Sequence, residues 1–263
     1  MDPEIVAYYA LGGEASRLHD GQGYIELVRT QDILRRVLPA PPARVIDVGG
    51  ATGEYATWLA ARGYEVRLVD PVPMHVEAAR ARGVDAVCGD ARQLAERDAR
   101  ADAALLLGPL YHLTNRAERI AALAEAVRVV RPGGLVVGAA ISRFASAHVA
   151  ITESRADDAA FLRIVAADLA TGLHRNTARH PEFFTTAYFH RPDELADEFG
   201  AVGLADVRVR GVEGVAGWCA REVTAALRDP EQRGGVMDLL ARLEEEPSVT
   251  GASAHLLAVG TKP

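Results

Sequence analysis

The chain has 263 residues, 49% of them apolar and 25% charged, an ordinary composition with ample material for one core. Its formal net charge of −7 argues against a nucleic-acid backbone as the main partner, since such proteins carry a basic face. Positive charge is almost all arginine, Lys262 being the only lysine, and Cys88 and Cys219 are too isolated for a disulfide framework or a zinc site. No apolar run reaches the roughly 18 residues of a membrane span, and the start MDPEIVAYY is unlike a secretory signal. A cytoplasmic protein without membrane or nucleic-acid partner is expected.

In chain order, residues 3–38 read as two or three helices. In the last of them Ile25, Val28, Ile33, Val37 and Leu38 fall near helical spacing, and Pro41-Pro42 ends the segment. Strands and helices then alternate: strands at about 44–48, 65–69, 84–88, 102–107 and 134–141, with helices at 54–62, 73–82 and 115–130 between them. Asn115 and Glu118 are spaced as a capping-box variant, and RPGG at 131–134 is a helix stop signal. The rhythm breaks near residue 143, where 145–190 reads as an inserted helical segment followed by the aromatic stretch HPEFFTTAYFHRP. A helix from Pro192, a strand at DVRVRGVEG, a helical stretch at about 233–245 and a final strand at SAHLLAVGTK complete the chain. Such alternation predicts one α/β domain with a parallel sheet, right-handed crossovers and ligands beyond the carboxyl ends of the strands.

Three acids, Asp47, Asp70 and Asp90, stand at or near the ends of three successive strands, the first just before the turn Gly49-Gly50-Ala51-Thr52-Gly53. A dinucleotide would place its pyrophosphate on this turn, where Asp47 would repel it, and no G-K-[ST] supports a P-loop. S-adenosylmethionine (SAM) suits the pattern better. It has no phosphate, its ammonium group can be attracted by an acid near strand 1, and its ribose diol and adenine amino group need acceptors that Asp70 and Asp90 can supply. The glycines are expected to permit close approach of the backbone to the cofactor.

From about Val45 to Ile141 the sequence resembles the class I SAM-dependent methyltransferases. The resemblance rests on VIDVGGATGEY, VRLVDP, CGDARQL, ALLLGPLYHL and VVRPGGLVVGAA, with Ala51 where the family usually has glycine. It implies a Rossmann-like seven-stranded sheet in the order 3-2-1-4-5-7-6, strand 7 antiparallel. It further implies that Asp70 and the neighbouring Pro71 meet the ribose and that Asp90 with Ala91 meets the adenine. Asp47, Gly49, Gly50, Gly53 and Leu107 would then surround the methionyl part.

By the same resemblance the segment after strand 4 borders the transferring methyl, which makes Tyr111 and His112 the catalytic candidates. Histidine can take a proton near neutrality, and the alternative is that His112 only shapes the pocket. The segment YYALGGEASRL, outside the core fold, is expected to cover the cofactor, with Tyr9 nearby and Arg17 on the methionyl carboxylate. Residues 1–40 would form a helical cap and 145–190 a helical lid over the site. Tyr8, Glu14, His174, Tyr188 and His190 are expected to line the acceptor site. Histidines 174, 180 and 190 match no metal-ligand spacing, so no metal is expected. The expected activity is methyl transfer from SAM to O or N of a small organic molecule, of a kind suited to secondary-metabolite tailoring, with a homodimer left open. Transfer or cyclisation of the aminocarboxypropyl arm, a macromolecular acceptor, a non-catalytic SAM-binding subunit and an NAD-linked oxidoreductase are the alternatives.

Overall fold

A computed structural model of the chain describes residues 3–9, 17–19, 21–176 and 183–263. The core is a sheet of β1 (Arg44–Val48), β2 (Glu65–Asp70), β3 (Asp85–Cys88), β4 (Ala101–Leu106), β5 (Val130–Ser142), β8 (Ala205–Gly211) and β9 (His255–Thr261). β1 to β5 are mutually parallel in the order 3-2-1-4-5; β9 lies antiparallel to β5, and β8 antiparallel to β9. This is the expected order, with β8 and β9 as the sixth and seventh strands. Val45, Ile46 and Val48 of β1 and Ala103 to Leu106 of β4 are buried, as near-continuous apolar strands covered on both faces should be.

Helices Glu54–Ala60, Pro73–Ala81, Arg116–Val129 and Pro192–Ala201 follow their strands closely. Asn115 caps the third of these, its side-chain oxygen accepting from the N–H of Ala117 at 2.8 Å. The reciprocal half of the expected capping box does not form, because the carboxylate of Glu118 pairs with Arg92 instead. At the other end the single lysine closes the helix: Lys262 Nζ donates to the carbonyls of Val127 and Val130, both at 2.8 Å.

The segment 145–190 is only partly helical. Helices Ala145–Thr152 and Ala159–Thr171 form, but the rest supplies the hairpin β6 (Leu173–His174) and β7 (Ala187–His190). β7 extends the sheet parallel to the far end of β5, pairing Ile141 with Phe189 and Ser142 with His190. Thr185, Thr186 and the aromatics that follow suit a half-buried extended strand better than a helix.

Helix Gly21–Val37 buries the expected apolar face, Ile25, Val28 and Ile33 among it. It is also clamped by charge. Arg29, fully buried, donates to Glu244 at 2.5 Å, to Asp32 at 3.1 Å and to the carbonyl of Val212 at 3.2 Å. Removing the carboxylate leaves a buried guanidinium without its main partner, so Glu244→Ala should cost about 3–5 kcal/mol in chemical denaturation. A loss under about 1 kcal/mol would contradict the clamp.

Candidate functional site

The carboxyl ends of β1, β2 and β4 open onto a cleft of about 340 Å³. Parallel register sets its floor: Val48 pairs with Val69 and Asp70 with Cys88, so the loops after β1, β2 and β3 emerge side by side. Gly49, Gly50, Asp70, Pro71, Asp90, Ala91 and Leu107 all line it.

Asp70 ties two loops together. Its Oδ2 accepts the N–H of Ala51 at 3.0 Å and its Oδ1 the N–H of Val72 at 2.9 Å, with His75 Nδ1 at 3.2 Å. Ala51 sits at φ +47°, a left-handed conformation that costs an L-residue about 1 kcal/mol. The glycines answer chiefly to the protein's own packing rather than to open ligand space. A Cβ on Gly49 would lie 2.7 Å from the Pro109 ring, and one on Gly50 would lie 2.5 Å from Asp47 Oδ2. Gly53, at φ +83°, starts helix Glu54–Ala60 and faces Ala79 rather than the cleft.

Asp47 lies beneath this loop and does not line the cleft. It is fully buried, and neither carboxylate oxygen has a hydrogen-bond partner among the described residues. Burial, reinforced by the charge of Asp70, pushes its pKa up to about 7. Any contact it makes with a ligand therefore passes through the loop, by field rather than by direct hydrogen bond. Asp90 is open to the cleft but engaged: Arg92 donates to both of its oxygens, at 2.9 and 2.6 Å, and holds its pKa low.

The opposite wall is aromatic. Tyr9, from helix Pro3–Tyr9, shares a hydrogen bond of 2.6 Å with His112 Nε2 and sets its ring edge-on to His75 and His112. Tyr111 packs on His112 with ring centroids 4.6 Å apart, and Phe184 stacks on His112 from behind. Burial drives the His112 pKa down to about 4, so the imidazole is neutral at pH 7 and a weak base. The geometry thus assigns His112 to the cleft wall as a hydrogen-bonding group. Thr186 joins the same wall and ties it to the N-terminal helix by donating to Glu4 at 2.6 Å.

Other expected residues lie elsewhere. Tyr8 is one layer back, edge-on to Tyr9 and Phe184. His174, Tyr188 and His190 do not line the cleft; each is engaged in buried structure instead. His174 bonds Asp168 at 2.8 Å and stacks on Phe189; Tyr188 lies under the Arg119 guanidinium, 3.9 Å away; His190 is bonded to Glu198 at 3.3 Å. Glu14 and His180 lie outside the described residues.

Arg17 does reach the cleft, but it meets a carboxylate of the chain itself. It donates to Glu26 at 2.6 and 3.2 Å. Beyond Glu26 stand His255, which also lines the cleft, and the buried Glu213, 2.5 Å from His255 Nδ1. Glu26 and Glu213 had no motif to mark them. They come from a surface-like helix and a strand end separated by most of the chain, and only folding joins them. Glu26, Glu213 and His255 bring one ligand-type atom each within 4.8 Å of one another, but each is already engaged in the ion pairs and hydrogen bonds just given.

Residues 45–134 match the family described as Methyltransferase domain. A Mycobacterium tuberculosis protein described as an uncharacterized methyltransferase is 37% identical over 100 residues, 37% of this chain and 40% of its own length. The match thus spans well under half of that relative. Among solved structures, a SAM-dependent methyltransferase from Thermotoga maritima superposes with TM-score 0.62 at 20% identity, over 98% of this chain and 99% of that one. The fold is the class I, Rossmann-like methyltransferase fold. A Haemonchus contortus phosphoethanolamine N-methyltransferase, solved with phosphomonomethylethanolamine and S-adenosylhomocysteine, shares it with TM-score 0.57 at 13% identity, covering 98% of this chain and 57% of that one. Among the described residues of the methyltransferase fold no helix is long and apolar enough to cross a membrane.

Ala51→Gly removes a left-handed alanine and should raise stability by about 0.5–1 kcal/mol, read from denaturant midpoints; a lower midpoint would contradict the conformational cost. Asp47 has a folded-state pKa raised from 3.8 to about 7, so the folded state holds the proton more tightly than the unfolded one. Its contribution is most favourable below pH 4 and is lost as pH climbs toward 7, by an amount on the order of 4 kcal/mol. Asp47→Asn should therefore be more stable than the parent at pH 8 and lose that advantage at pH 4. An equal difference at both pH values would refute the buried, unpaired carboxylate.

Proposed function

We propose that the protein is a SAM-dependent methyltransferase acting on O or N of a small organic acceptor. The observation that carries this reading is the charge of the cleft floor. Asp47 is buried with no partner among the described residues, and Asp70 stands at the end of β2 beside it. A pyrophosphate on the same loop would lie in the field of two carboxylates, whereas an ammonium group there offsets the cost of keeping Asp47 ionised. The methyltransferase descriptions of the family and relatives support the same choice.

In this reading Asp70 accepts from the ribose diol while keeping its two backbone N–H donors, since each carboxylate oxygen has two acceptor directions. Asp90 and Ala91 border the adenine, and Leu107 and Gly108 border the methionyl arm. When bound, SAM supplies a methyl group already activated by its sulfonium. The chain's residues then exclude water and align the acceptor. Tyr9, Tyr111 and His112 close the methyl-transfer end, where neutral His112 shares a hydrogen bond with Tyr9 rather than carrying away a proton. Phe184 and Thr186, from the segment before β7, cover this end. A small acceptor is favoured by the enclosing aromatic wall and the net charge of −7.

Calorimetry with S-adenosylhomocysteine tests the assignment. The parent should bind it, and Asp70→Asn should lose about 2–3 kcal/mol, roughly 30- to 150-fold in affinity. Unchanged affinity in a variant with a normal melting curve would refute the ribose assignment.

A further inference from the structure

The cleft has a second polar end that the cofactor assignment leaves unused. His255 opens β9, the third strand from β1 across β4 and β5. At about 4.8 Å per strand that is roughly 14 Å from the glycine loop. It pairs with Ile141 of β5, whose side chain packs in the cluster that includes Tyr111 and Phe184. His255 is thus on the acceptor side.

Its orientation is fixed from behind. Ser253 Oγ accepts the N–H groups of Glu213 and Gly214, both at 3.0 Å, and donates to Glu213 Oε2 at 2.8 Å. Glu213, fully buried, also accepts the backbone N–H of His255 at 2.9 Å and the ring Nδ1–H at 2.5 Å. That leaves Nε2, on the opposite side of the ring and without a hydrogen-bond partner among the described residues, to the cleft that His255 lines. The charged groups facing the ring are Glu213 from the end of β8, Glu26 at 3.7 Å from helix Gly21–Val37, and Arg17, which holds Glu26. Arg17, Glu26 and His255 line the cleft and Glu213 does not; with the ring protonated the two cations and two carboxylates balance, and Nε2–H is a donor this cluster turns to the cleft. Burial opposes protonation, but Glu26 and Glu213 outweigh it and raise the His255 pKa to about 9.

Resting on the SAM reading of the cleft, we propose that His255 anchors a carboxylate of the acceptor through Nε2–H, so that the enzyme selects acidic acceptors over amines. Glu213 and Ser253 are positioning residues: they hold the ring and keep its donor aimed at the cleft. The same side chains could instead serve a divalent cation or the methionyl carboxylate, and the experiment separates these.

Protein saturated with S-adenosylhomocysteine is titrated with 4-fluorobenzoate, 4-fluorobenzamide and 4-fluorobenzylamine, followed by fluorine NMR at pH 7.5. The benzoate should bind at least about tenfold more tightly than the other two, a difference expected of one charge-assisted hydrogen bond. The preference should fade as pH rises through about 9, and His255→Gln should abolish both the preference and its pH dependence. That variant should melt lower, because it gives up the ion pair with buried Glu213, but should still unfold cooperatively and keep its affinity for S-adenosylhomocysteine; Ser253→Ala should weaken the preference without abolishing it. Equal or tighter binding of the amine overturns the proposal, as does loss of benzoate binding on adding EDTA. So does a His255→Gln variant that loses S-adenosylhomocysteine as strongly as benzoate. Failure of the parent to bind S-adenosylhomocysteine would instead overturn the cofactor reading, and this inference with it.

Discussion

The carboxylate of Asp70 is the joint on which the cleft depends. By accepting from Ala51 on one side and Val72 on the other, it fixes the loop after β1 against the start of helix Pro73–Ala81. That contact holds the glycine loop low over Asp47, whose buried and unpartnered oxygens then give the floor its electrostatic character. A carboxylate left in this state costs folding energy whenever it is ionised. Such a cost is tolerated where a ligand of opposite charge relieves it, which connects loop geometry to the kind of molecule the cleft can hold.

The far wall follows a different logic. Tyr9, Tyr111, Phe184 and His112 form an aromatic cage in which burial keeps the imidazole neutral. Beyond it, alternating charges from Arg17 through Glu26 and His255 to Glu213 keep a polar end within an otherwise apolar enclosure. Helix Gly21–Val37 brings Glu26 there, and the Arg29–Glu244 pair holds that helix in place. The N-terminal residues are therefore part of the site's chemistry, although they stand outside the sheet.

Much of this was legible in residue spacing. The strand ends carrying Asp47, Asp70 and Asp90 are local features: a short apolar run, then an acid, then a turn. Parallel register does the rest, because it brings consecutive strand ends to one edge. Aromatic and imidazole density in 174–190 was a poorer guide, since His174, Tyr188 and His190 satisfy Asp168, Arg119 and Glu198 inside the fold. Period and composition alone do not tell a buried network from a cleft wall. Glu26 and Glu213 were hidden for a related reason: their meeting at His255 is a tertiary event, and each alone reads as an ordinary surface or strand-end charge.

The central claim is that this cleft accepts an adenosine carrying a cationic, phosphate-free arm. Competitive calorimetry on the unmodified protein, S-adenosylhomocysteine against NADH, addresses it most directly. The account predicts saturable binding of S-adenosylhomocysteine that NADH does not displace. Saturable binding of NADH with none of the thioether would contradict it.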